Sequence, residues 1–254
     1  KANCWGMWLL AMQIVLYVAG VVAVFVPALT TSYPPLAVLL AVASTWLTIQ
    51  ASKFKGIADT LKRHHEYWQG FGKELPKGWL ADLRVTVSGG ITDEEDRLLR
   101  QGLRFSSSKP LGPARVLENL CESAWFTKHH AAWCAERLGV VVVLSVVFAI
   151  VLLLVLLTSM KGLSSPMAAA QCVSVTLTAL LSIGVLHSWL AFSGYSQKAG
   201  EIEAESQRLL KSGADAFEAQ RTLAEYQLVR AGAPTIPTWV WKIQRDRLNK
   251  NWND

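Results

Sequence analysis

The stretch "FTKHHAAWCAERLGVVVVLSVVF", residues 126–148, decides how the chain is read. Its first half carries Lys128, His129, His130, Cys134, Glu136 and Arg137. Its second half is almost wholly apolar, and neither proline nor a turn dipeptide separates the two. One uninterrupted helix is the expectation, running from about Pro113, which suits a first helical turn, to about Met160. At the standard rise such a helix is about 70 Å long. His130 and Cys134 stand at i, i+4, a spacing that can place two ligands on one metal ion. Cys121, nine residues before His130, cannot join them from the same helix; a closed zinc site would need two further ligands, with His64 and His65 as the candidates, and the cofactor expectation is none.

Working outward, the apolar residues cluster. The chain has 254 residues, of which 52% are hydrophobic and 17% charged. Residues 5–27, 138–160 and 166–192 contain no charge, and neither do 33–52. About 20 helical residues span the hydrocarbon core of a bilayer, so four transmembrane helices are expected. Pro34 and Pro35 shorten the 33–52 segment, and Thr45, Trp46, Thr48 and Gln50 dilute it. The first segment does not have the form of a signal peptide, because it is too long and no basic region precedes it. The opening "KANCW" lacks a methionine, which suggests a preceding segment.

Charge sets the expected topology. Of 25 Lys and Arg, 14 lie in 53–137 and nine in 195–254, and all 19 acids lie in those same regions. The positive-inside rule then places both hairpin tips outside and both termini in the cytoplasm. The expected fold class is an all-α integral membrane protein, with two transmembrane helical hairpins and helical cytoplasmic extensions. Its parts are a first hairpin over 1–52, a cytoplasmic helical insert over 53–137, a second hairpin over 138–192 and a cytoplasmic helical tail over 193–254. The expected location is the inner membrane, multi-pass. The four cysteines make no C-x-x-C pair, so reduced thiols are expected.

The insert and tail carry the candidate polar sites. Arg97, Arg100 and Arg104 share one helix face, and Lys62, Arg63, His64 and His65 form a second basic cluster. Guanidinium and ammonium groups bind phosphate, so Lys62, Arg63, Arg97, Arg100 and Arg104 are candidates for an anionic ligand, against the plainer reading of a solvated basic surface. Gln171, Ser174, Thr178 and Ser182 form a polar stripe that suits a pore lining or close helix packing. Ile202, Leu209, Ala216 and Leu223 recur every seven residues, as in a loose coiled-coil seam. "TWVWKIQRDRLNKNW" is a basic, aromatic amphipathic helix. No phosphate loop, G-x-S-x-G or H-E-x-x-H occurs, and a non-enzyme is expected. The absence of acidic or basic residues from the apolar segments argues against an ion-coupled pump.

Two hairpins around a helical insert, with "ENLCESAWFTKHHA" before the third apolar segment and "IPTWVWKIQRDRLN" near the end, resemble the four-helix relatives of the SLATT membrane effectors, Hailong-type channel effectors among them. The resemblance implies a pore-forming effector of prokaryotic antiviral defence and abortive infection. It would be a homo-oligomer, with a tetramer favoured, opened by a nucleotide or short oligonucleotide messenger from a partner nucleotidyltransferase. It would contact membrane lipid and depolarise the membrane. Lys128, His129, His130 and Arg137 would then be a coupling stem between messenger and pore. The alternative is a non-conducting membrane scaffold that recruits a cytoplasmic partner through its helical tail.

Overall fold

The computed structural model describes residues 33–72, 107–159, 185–213 and 215–253. Among these, all regular structure is helical: α1 (Tyr33–Phe71), α2 (Pro113–Ser159), α3 (Val185–Ser212), α4 (Ala216–Gly232) and α5 (Thr238–Asn253). The all-α part of the expectation therefore holds for the described residues.

The membrane part is corrected. Among the described residues, no helix is long and apolar enough to cross a membrane. This overturns the integral-membrane class, the transmembrane and ion-channel description and the multi-pass inner-membrane location. The segment 5–27, and 166–192 as far as residue 184, lie outside the described residues. The 33–52 segment is the start of a 39-residue helix and is diluted by Thr45, Trp46, Thr48 and Gln50.

The helix ends follow local chemistry. Gly72, at φ 70°, closes α1 and donates its N–H to the Trp68 carbonyl at 2.9 Å. A residue without Cβ enters this left-handed conformation without a steric penalty. Pro113 opens α2, as expected, and 47 described residues follow the helix to Ser159; Met160 lies outside the described residues. Gly213, at φ 77°, ends α3 with an N–H to the Leu209 carbonyl at 3.1 Å. Asp215 then caps α4, its Oδ1 accepting the Glu218 N–H at 2.8 Å. The turn at Gly213 divides the expected seven-residue seam between two helices, so it is not one coiled-coil strand.

The chain forms two compact units. The first comprises Ala58–His129 and Gln197–Gly232; the second comprises Lys1–Ile57, His130–Ser196 and Ala233–Asp254. In the first, Val116, Leu117, Leu120 and Ala124 of α2 pack with Ile202 and Leu209 of α3 and with Ala219, Leu223 and Tyr226 of α4. Tyr67 and Phe71 of α1 close that core. The α2 contributions recur at three- and four-residue steps, the period of one helix face. Burying each Val, Leu or Ile side chain of this core is worth about 1.5–3 kcal/mol. In the second unit, α5 buries Val240, Gln244 and Leu248 at steps of four, again a single stripe.

Candidate functional site

The first unit holds a buried polar network. Glu66, on α1, is 7% exposed. Its carboxylate accepts from both terminal nitrogens of Arg230 on α4, one at 3.2 Å, and from the Gln227 amide at 3.1 Å. Asp59, two turns earlier on α1, stands 3.8 Å from the Arg230 guanidinium. That guanidinium also lies over the Tyr226 ring, 5.4 Å from its centroid. The Tyr226 hydroxyl reaches the Thr127 hydroxyl at 2.8 Å and the Ser123 hydroxyl at 3.1 Å, and donates to the Ser123 carbonyl at 3.2 Å. α4 supplies these groups because Tyr226, Gln227 and Arg230 share its buried face. A cavity of about 10 Å³ lies beside the network, lined by Glu66, Val116, Asn119, Leu120, Ser123 and Leu223. It is too small for any organic ligand. A two-point Arg–carboxylate contact has defined geometry, so the network fixes the α1–α4 register and offers no substrate space.

The expected stem residues are engaged within their own units. Lys128 pairs with Glu203 of α3 at 2.6 Å, and His129 packs on the Trp125 ring at 4.5 Å between centroids. His130 is fully buried, with its ring centroid 3.9 Å from that of Trp241 in α5. Arg137 is exposed and lies over the Trp133 ring at 5.2 Å. Trp133 in turn meets Trp239 edge to face at 5.4 Å. Burial takes His130 out of reach of any messenger or lipid, and the ion pair engages Lys128 within the fold.

Cys121 and Cys134 are free thiols, as expected for reduced cysteines. Among the described residues, no group of three His, Cys, Asp or Glu is placed to hold a metal ion. Burial pushes the Cys134 thiol up to about 11. Burial also raises Cys121, against a weak opposing hydrogen bond from Gln207. A thiolate is the reactive form of cysteine, so neither residue is a nucleophile near neutral pH.

Of the expected anion-binding set, Arg97, Arg100 and Arg104 lie outside the described residues; Lys62 is half-buried and Arg63 exposed on α1. The expected pore stripe of Gln171, Ser174, Thr178 and Ser182 lies wholly outside them. The Glu66–Arg230–Tyr226 network escaped the sequence reading. Its trace was present, since Tyr226 and Arg230 fall on the same α4 face as Leu223 and so could not both be solvated. What most distinguishes the described surface is apolar. On α2, Val140, Val143, Val147, Ile150 and Leu154 are each at least half exposed. Comparison with models of protein families, with curated proteins and with solved structures finds no match, so the likeness to the SLATT effectors rests on the quoted stretches alone.

Proposed function

We propose that this chain is a homo-oligomeric helical scaffold whose copies associate along the 140–154 segment of α2. The observation that carries the reading is the exposure of that segment: Val140, Val143, Val147, Ile150 and Leu154 are 50–61% exposed. Large apolar side chains exposed together along one helix mark an interaction site. The five positions step by three and four residues, which is the a/d spacing of a helical bundle. In that register Val140, Val147 and Leu154 fall at a, and Val143 and Ile150 at d, so β-branched side chains line most of the seam.

Recruitment of a partner through the coiled-coil seam of the tail is not supported, because Ile202, Leu209 and Leu223 are buried in the chain's own core. The tail face that remains outward carries Phe217 and Leu228, 71% and 72% exposed and three turns apart on α4. That face is the scaffold's candidate recruitment surface.

Light scattering during size-exclusion chromatography tests assembly. The full chain is expected to elute as an oligomer, and Val147→Glu with Ile150→Glu to elute as a monomer. A monomeric wild type whose segment is covered by detergent or lipid instead, or a variant with unchanged mass, overturns the reading.

A further inference from the structure

The second unit carries a basic, aromatic patch that the scaffold reading does not use. α5 buries Val240, Gln244 and Leu248 along one stripe. At 100° per residue, Trp239, Lys242, Ile243 and Lys250 fall on the other side of the helix. All four are exposed, Trp239 by 45% and Ile243 by 64%. Asp246, the one acid on the helix, falls at the middle of this outward face between Lys242 and Lys250; Arg245 is exposed on the flank and Arg247 beside the buried stripe, so four cations meet a single carboxylate. The patch extends onto α2 through the edge-to-face Trp133–Trp239 pair and the Arg137 guanidinium stacked on Trp133. It therefore rests on two packed helices.

We propose that this patch docks on the surface of anionic phospholipid, with the Trp239 indole and Ile243 at headgroup level and Lys242, Arg245 and Lys250 against the phosphates. Indole rings favour the headgroup region, where an apolar body and an N–H donor are both accommodated. A helix with cations on its outer face and a few large apolar side chains among them lies on such a surface without crossing it. Each cation near an anionic leaflet is worth about fivefold in affinity. Two or three of them beside one acid place the effect within easy measurement. The proposal uses no residue of the 140–154 segment.

Co-sedimentation of the full chain with phosphatidylglycerol–phosphatidylcholine vesicles, against phosphatidylcholine alone, tests it. Binding to the mixed vesicles is expected to be tighter by ten- to a hundredfold, to weaken as salt rises, and to shift tryptophan emission to the blue. Lys242→Glu with Lys250→Glu changes only exposed positions and is expected to reduce binding tenfold or more with an unchanged circular dichroism spectrum. Val147→Glu is expected to retain binding, which separates this proposal from the assembly reading. Equal binding to neutral vesicles, insensitivity to salt or to the double charge reversal, or displacement from the vesicles by single-stranded RNA through the same residues overturns it.

Discussion

Individual residues bear the sharpest consequences. Glu66 and Arg230 are a buried ion pair, and removing one partner strands the other's charge away from water. Glu66→Leu is expected to cost about 3–5 kcal/mol, read from the urea midpoint of the full chain. Glu66→Leu combined with Arg230→Met should recover most of that loss, because two apolar groups need no counter-charge. If the double variant is as unstable as the single one, the pair does more than balance charge. Tyr226→Phe removes the hydroxyl shared by Thr127 and Ser123 and should cost about 1–2 kcal/mol. Cys134 supplies a pH-dependent case. Its folded thiol titrates at about 11, above the ordinary value of 9.0. Folding therefore keeps its proton, so its stabilising contribution is complete below about pH 9 and is lost as pH rises through about 11. Alkylation by iodoacetamide at pH 8 is expected to be far slower in the folded chain than in urea. Equal rates would show that the site opens.

At the scale of the helix, close approaches decide what is tolerated. A Cβ on Gly70 of α1 would lie 2.4 Å from Cγ2 of Val116 on α2. Real carbon pairs do not come that near, so α1 and α2 meet here only because position 70 is glycine. Gly70→Ala should destabilise by about 1–3 kcal/mol through overpacking. Adding Val116→Ala should relieve the clash and raise the melting temperature of the single variant. A further loss in the double variant would place the strain elsewhere. Helix limits were largely legible in the chain itself. Pro113 marked the start of α2, an absence of breakers let it run on, and "PTW" announced α5. The seven-residue spacing of Ile202, Leu209, Ala216 and Leu223 misled, because Gly213 turns the chain between the second and third of them. Ile202, Leu209 and Leu223 still share one core, whereas Ala216 is exposed. Periodicity thus named most of the buried residues while misnaming the structure that buries them.

For the whole molecule, composition pointed to helices and to unusually large apolar segments, and those inferences follow from neighbouring residues alone. Helical spacing, caps and breakers act within a few residues of one another, so α2 and α5 can be placed by inspection. The partner of an apolar or charged face is another matter. Glu66 meets Arg230 across 164 positions of chain, and Tyr226 meets Ser123 across 103. No local pattern distinguishes these partners from the other cations and hydroxyls on offer. His130 shows the same limit from the other side. Its spacing from Cys134 suggested a two-ligand pair and its neighbours a coupling stem, but α5 covers it and leaves Arg137 outside. Local sequence dictates which faces need cover, because hydrophobicity and backbone preference belong to each residue. Packing alone chooses what supplies that cover, because the free energy of burial and of ion pairing exists only once distant segments have come together.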